Sequence, residues 1–264
     1  MPTVELADAT LHYERAGSGP PLLICSGTGS DTRRAPGPFS WPGADRFDAV
    51  AYDHRGLGQS VDRDPAEPTM AGFAADALAL ADHLGWDRFR VIGISFGGMV
   101  AQELALAGGE RIERLVLAVT SPGGAGGSSF ALDQTYGLTR QQRIEQMINV
   151  LDTRSATDPE IRARMEQWLT TDSAAGDGEV PEGLARQLRA RSHHDTWERL
   201  PALTVPTLVL AGRYDGIAVP ETVARLANRI PGARLVVRDG GHTFLRGDRE
   251  AWNEIVAFLL DDRA

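Results

Sequence analysis

The sequence contains no lysine; all 27 of its basic residues are arginine. A genome rich in G and C accounts for that bias without any function, yet the bias removes a class of chemistry. No lysine amine is available to form a Schiff base or to act as a catalytic amine. The single cysteine, Cys25, excludes an intramolecular disulfide and a zinc site built from several cysteines. No run approaches the ~20 consecutive apolar residues of a membrane-spanning helix. The stretch "MPTVELADAT" lacks a basic segment followed by an apolar one, so the expected location is the cytoplasm. Positive charge is in deficit too, with 36 acidic residues spread along the chain and a net charge of −9. That balance argues against nucleic acid or an anionic membrane as the main partner.

What is present is enough apolar material, 42% of 264 residues, for one large α/β domain with room for an insertion. The chain opens as a hairpin, "TVELAD" and "LHYERAG" about a tight "AT" turn. Apolar runs at "PPLLICS", "RFDAVAYD", "RFRVIGIS" and "RLVLAVT" read as strands. Between them, "MAGFAADALALADHLG" places Phe73, Ala77, Leu80, Ala81 and Leu84 on one helical face, with Gly85 as its stop, and "GGMVAQELALAGG" reads as an apolar helix. The C-terminal part reads strand, helix, strand, helix: "PTLVLAG", "PETVARLANRI", "ARLVVRDG" and "REAWNEIVAFLLDD". Alternation of this kind predicts a mostly parallel sheet covered on both faces. Residues 122–200 break the rhythm. They begin with "SPGGAGGSSF", suited to a hinge, and continue with helical patterns around 139–151, 158–171 and 181–199. The expected organisation is a core of residues 1–121 and 201–264 with a helical cap, 122–200, over the carboxyl edge of the sheet. Ligands bind at that edge in open α/β sheets.

Residues 93–98, "GISFGG", follow directly on an apolar strand. Gly93, Ser95 and Gly97 fit G-x-S-x-G, in which a serine on a sharp strand-to-helix turn exposes its hydroxyl. The pattern is short enough to arise by chance, and its other reading is a Gly-rich loop. A serine hydroxyl needs a base, and the base needs an orienting acid. Asp215 falls in the loop after "PTLVLAG", and His242 in the loop after "ARLVVRDG". Both loops lie at the same sheet edge as Ser95. Of the six histidines, His242 alone lies in a loop directly after a C-terminal core strand. Asp239 is a rival acid, but it stands at the end of its strand as a turn residue. The strand after the nucleophile helix ends "LAVTSPGG", without a carboxylate. His193 and His194 read as packing or capping at the end of the cap.

The segments "GISFGG", "YDHRGLGQS", "AGRYDGIAVP" and "GGHTF" resemble those of the α/β-hydrolase superfamily, and the resemblance spans nearly the whole chain. Within it, the chain is similar to small cap-bearing bacterial esterases and lactonases, including the 3-oxoadipate enol-lactonase type. The resemblance implies an α/β-hydrolase fold with an N-terminal antiparallel hairpin and a helical cap insertion. It implies a serine hydrolase of a small carboxylic ester or lactone, with Ser95 as nucleophile, His242 as base and Asp215 as acid. It also implies an oxyanion hole from the backbone N–H groups of Thr28 and Phe96. Relatives usually carry His-Gly where this chain reads "CSGTGSD", so Ser26 replaces the histidine; a backbone donor does not need it. No cofactor or metal is implied, and the partner is a small molecule, with the chain a monomer or homodimer. Other chemistry on the same three residues, C–C hydrolysis or a non-hydrolytic rearrangement, stays open, as does a non-enzymatic receptor of this fold.

Around these residues, "SGTGS" lacks the G-K-[ST] ending of a phosphate loop. Asp53, His54 and Arg55 are expected to brace their loop, and Cys25 to be a small buried apolar residue. Arg33 and Arg34 follow the oxyanion loop, and one of them is expected to face an anionic or strongly polar substrate.

Overall fold

In a computed structural model of the chain, residues 2–135, 137–171 and 180–261 are described. The apolar runs become strands β1 (Thr3–Glu5), β2 (Ala9–Ala16), β3 (Pro21–Cys25), β4 (Asp48–Tyr52), β5 (Val61–Asp62), β6 (Phe89–Ile94), β7 (Ile112–Ala118), β8 (Thr207–Gly212) and β9 (Arg234–Arg238). The order across the sheet is β1-β2-β4-β3-β6-β7-β8-β9, with the short β5 also paired to β2. β1, β4 and β5 pair with β2 antiparallel, and every later neighbour is parallel. The hairpin turn falls at Leu6–Asp8 rather than at Ala9–Thr10. The Leu6 N–H bonds the Ala9 carbonyl at 2.8 Å, which puts Ala9 and Thr10 into β2.

Successive side chains on a strand face opposite sides, and the core divides accordingly. Leu23, Cys25, Val91, Leu115, Leu117, Val209 and Ala211 pack on one face against α1 (Met70–His83), α2 (Phe96–Gly108) and α6 (Pro220–Arg229). Leu22, Ile24, Ile92, Val116, Leu208 and Leu210 pack on the other against α7 (Arg249–Leu259). A sheet buried on both faces is why its parallel strands read as continuous apolar runs. Local signals set the helix ends. Thr69 Oγ1 accepts the Gly72 N–H at 3.0 Å to cap α1, and Gly85, at φ +71°, follows its last turn.

Residues 122–200 hold α3 (Arg140–Leu151), α4 (Pro159–Thr171) and α5 (Glu182–Ser192). Residues 136 and 172–179 of that span lie outside the described ones. Ile144, Ile148, Leu151, Ile161 and Met165 form a third apolar cluster there, joined by Ile217 from the loop after β8. The pattern expected to continue to 199 stops at Ser192, because the following residues pair elsewhere. Gly123 bridges Asp195, and Thr196 donates to Gln102 Oε1 at 2.6 Å.

The glycine-rich start of the insertion is likewise a packed joint rather than an open hinge. Gly123 has φ +70°, and a Cβ there would run into the His194 carbonyl. Gln102 of α2 donates to the Ser121 carbonyl at 3.1 Å, and Arg199 grips Glu103 of α2 at 2.6 and 2.7 Å. Both ends of the insertion are thus tied to α2. Among the described residues, no helix is long and apolar enough to cross a membrane.

The loop after β4 is braced by charge. Arg55 makes a bidentate contact with Asp76 of α1 at 2.6 and 2.7 Å and reaches Asp62 and Asp8 at 3.4 and 3.2 Å. Its side chain is 9% exposed and that of Asp76 is 4%. Removing one partner of such a pair strands a buried charge. Arg55→Leu should therefore lower unfolding free energy by about 3–5 kcal/mol in a denaturant titration; a loss within 0–1 kcal/mol, typical of exposed pairs, would make the network a surface feature.

Candidate active site

Ser95 stands between the end of β6 and the first residue of α2, with φ 54° and ψ −117°. A non-glycine residue in this region carries strain of order 1–3 kcal/mol, sustained only by its surroundings. The Ser95 N–H bonds the Ala118 carbonyl of β7 at 2.9 Å, and α2 packs tightly behind the turn. A Cβ on Gly97 would overlap the Cys25 carbonyl of β3. A Cβ on Gly93 would come within 2.5–2.7 Å of Ala101, Gly97 and Gly98. The glycines of "GISFGG" therefore allow helix, turn and neighbouring strand to meet at this distance.

His242 and Asp215 reach the same point from the loops after β9 and β8. His242 Nε2 lies 2.9 Å from Ser95 Oγ, and His242 Nδ1 lies 2.8 Å from Asp215 Oδ2. Asp215 is buried, and its Oδ1 accepts the N–H groups of Ile217 and Ala218 at 2.8 and 2.9 Å. These bonds leave Oδ2 for the imidazole. With Nδ1–H donated to Asp215, Nε2 presents its lone pair to the Ser95 hydroxyl. Asp239, the rival acid, is 73% exposed and faces Arg213 at 3.5 Å. His193 is exposed, His194 is buried, and neither lines the cavity described below.

Beside Ser95, the N–H groups of Phe96 and Thr28 donate to no group among the described residues. Phe96 opens α2, where unpaired N–H groups and the helix dipole favour negative charge. Asp53 and His54, expected to brace their own loop, also hold the loop of Thr28. Asp53 accepts the N–H groups of Thr32 and Gln59 at 2.7 and 2.9 Å, while His54 Nε2 donates to the Ser26 carbonyl at 3.2 Å. The His54 ring also stands edge-on to Phe96 and Phe73.

Ser95 and His242 open into a cavity of about 670 Å³. Leu132, Met147, Leu151, Trp168 and Leu184 of the insertion, with Ile217, supply its apolar wall. Arg34 lines it, whereas Arg33 is exposed and folds back on Asp31 at 2.6 and 2.9 Å. Arg34 has no ion pair among the described residues. Arg246 and Arg249 line the same cavity, Arg246 lying over the Trp168 ring at 4.9 Å. Among the described residues, no group of three or more His, Cys, Asp or Glu could hold a metal ion.

The family model for the α/β-hydrolase fold matches residues 20–245. The chain belongs to that family. The hydrolase-fold chain is 30% identical to the rhodomycin D methylesterase of Streptomyces peucetius, over 92% of each chain. It is 26% identical to 3-oxoadipate enol-lactonase 2 of Acinetobacter baylyi, over 98% of this chain and 96% of that one. It shares the fold of the enol-lactonase from Burkholderia xenovorans LB400, with a TM-score of 0.79 at 23% identity over 98% of this chain and 100% of the other.

Sequence reasoning missed the apolar wall of the insertion and the two arginines after His242. Arg246 and Arg249 follow a motif already recognised, yet nothing in "FLRGDRE" marks which residues line the cavity. Trp168 and Leu184 read as ordinary amphipathic helix positions.

Burial of His54 pushes its imidazole down to about 4 from an ordinary 6.5, so it is neutral in the fold. Below pH 6.5 the unfolded chain takes up a proton that the folded chain refuses until about pH 4. The stability this group contributes is complete above pH 6.5 and is lost as pH falls toward 4, by about 1.4 kcal/mol per pH unit. Denaturant titrations between pH 7 and 4 should therefore show a shallower loss of stability in His54→Asn than in the wild type; equal slopes would place the His54 imidazole in contact with water.

Proposed function

We propose that the protein is a serine hydrolase that cleaves a small carboxylic ester or lactone through an acyl-enzyme. The observation that carries this reading is the hydrogen-bonded line Ser95–His242–Asp215, opening into the cavity beside two unpaired backbone N–H groups. Ser95 Oγ attacks the carbonyl carbon as His242 Nε2 takes its proton. Asp215 holds the imidazole in place and stabilises its positive form. The carbonyl oxygen becomes an oxyanion facing the N–H groups of Phe96 and Thr28. The C–O bond to the leaving group breaks, and His242 returns the proton to the departing oxygen. Water, deprotonated by His242, then attacks the acyl carbon, and Ser95 leaves with the proton. Residues 122–200 act as the cap that closes the cavity over Ser95 and excludes water.

Relatives named as a methylesterase and an enol-lactonase support the bond class. They differ in the group attached to the carbonyl, so the substrate is read from this cavity. Its wall is apolar on the insertion side, and Arg34, Arg246 and Arg249 lie elsewhere on its lining. That combination fits an ester or lactone carrying an apolar portion and a carboxylate or strongly polar group, with Arg34 as the first contact for the anion.

Labelling with a fluorophosphonate and assay on a panel of p-nitrophenyl esters and lactones test the assignment. Ser95→Ala should lose labelling and fall in turnover by on the order of 10⁶ if the three residues act as a unit. Asp215→Asn should lose roughly 10⁴, and Asp239→Asn far less. Undiminished labelling of Ser95→Ala would place the nucleophile elsewhere, and ligand binding without turnover by the wild type would favour a receptor.

Substrate charge is tested separately. Arg34→Ala should raise KM for a carboxylate-bearing ester and leave a neutral ester of equal size nearly unchanged, while Arg33→Ala should alter neither. Equal small effects of both variants on both esters would return Arg34 to the solvated surface and leave the site without an anion contact.

A further inference from the structure

The insertion grips the site at two separate places. At the end of α3, the Val150 and Leu151 carbonyls accept the N–H groups of Gly216 and His242 at 2.9 and 2.6 Å, and the Thr153 N–H donates to the Tyr214 carbonyl at 2.9 Å. These bonds hold the loops that carry Asp215 and His242. On α5, Gln187 is fully buried, and its Oε1 accepts the N–H of Gly29 at 2.8 Å. Gly29 is the residue after Thr28. The other end of the Gln187 side chain, Nε2, is buried and has no partner among the described residues.

The Gly27–Thr28 peptide is held from its opposite side. The Gly27 carbonyl accepts the Ser30 N–H at 3.2 Å and the Ser30 hydroxyl at 2.7 Å. In a trans peptide the carbonyl and the following N–H point in opposite directions. Anchoring the Gly27 oxygen toward Ser30 therefore turns the Thr28 N–H away from Ser30. The Gln187 bond then fixes the next peptide, so Thr28 lies between two held planes. Leu184, one turn before Gln187 on α5, lines the cavity and lies against Gly29. Residues three apart share a helix face. One face of α5 thus supplies both a cavity wall and the clamp on the loop.

We infer that Gln187, with Ser30, is a positioning residue for oxyanion stabilisation: a side chain of the insertion that holds the Thr28 N–H in its working orientation. This rests on the serine-hydrolase reading above. It makes the insertion part of the reacting geometry as well as a cover. Gln187 touches no reacting atom in this scheme, and its effect passes through the Gly29 and Thr28 backbone.

The test uses Gln187→Met, which keeps the length but loses the acceptor, and Ser30→Ala, which removes the hydroxyl from a half-buried position. A displaced donor weakens the transition state more than the bound ester. Each variant should lower kcat for p-nitrophenyl butyrate by about 10- to 100-fold, less than the 10²–10³ of losing a donor outright, with little change in KM. Labelling of Ser95 by a simple alkyl fluorophosphonate should slow by a similar factor, because its phosphoryl oxygen faces the same N–H groups. Wild-type kcat and labelling rate in both variants would overturn the inference, as would a raised KM at unchanged kcat. Ser30→Ala decides the matter alone if Gln187→Met fails to fold. A wild type that is neither labelled nor active on any ester would overturn the serine-hydrolase reading itself, which separates that failure from failure of the clamp.

Discussion

The rest of the site depends on one backbone constraint, the positive φ of Ser95 where β6 turns into α2. The turn is unfavourable for a serine, and the fold sustains it by close packing. Gly97 lets α2 approach the end of β3, and Gly93 lets β6 approach α2. That packing needs a sheet buried on both faces, with small residues at the crossing and large apolar side chains elsewhere. It also sets the beginning of α2 beside Ser95, so the first N–H of the helix is unpaired at the place where negative charge would develop. The proposed nucleophile and one proposed oxyanion donor thus come from the same turn.

The other parts of the site arrive by longer routes, each tied down by polar contacts. Asp215 keeps one oxygen on backbone N–H groups and gives the other to His242. The loop of Thr28 is held by Asp53, His54, Ser30 and Gln187. The insertion is fastened to α2 at both its ends, to the His242 and Asp215 loops through α3, and to the Thr28 loop through α5. A segment fixed at so many points keeps the cavity shape that its apolar side chains line.

Much of this architecture is legible in the sequence because it is local. Alternating apolar runs announce strands, and Thr69 and Gly85 bracket α1. The glycines around Ser95 mark a turn whose steric demand has few other solutions. The hairpin turn was misplaced by a few residues because "LADAT" has no strong turn signal, and the Leu6–Ala9 hydrogen bond decided it. The stretch "SPGGAGGSSF" misled in a more instructive way. Glycine is used both where a chain must flex and where another chain must come close, and only the approach of His194 and Asp195 tells the two apart.

What the sequence determined by itself was the order of elements and the placing of Ser95, Asp215 and His242 after three parallel strands. Those follow from periodicity and from the rule that parallel strands bring their carboxyl ends to one edge. Tertiary structure decided which of two adjacent arginines faces the cavity, since Arg33 turns back on Asp31 and Arg34 does not. It brought Asp215 to 2.8 Å from the His242 imidazole and left Asp239 exposed beside Arg213. It alone revealed Gln187, 158 residues from the glycine it holds. Side-chain direction and contacts of that span depend on how whole helices dock on the sheet, and no local pattern carries that information.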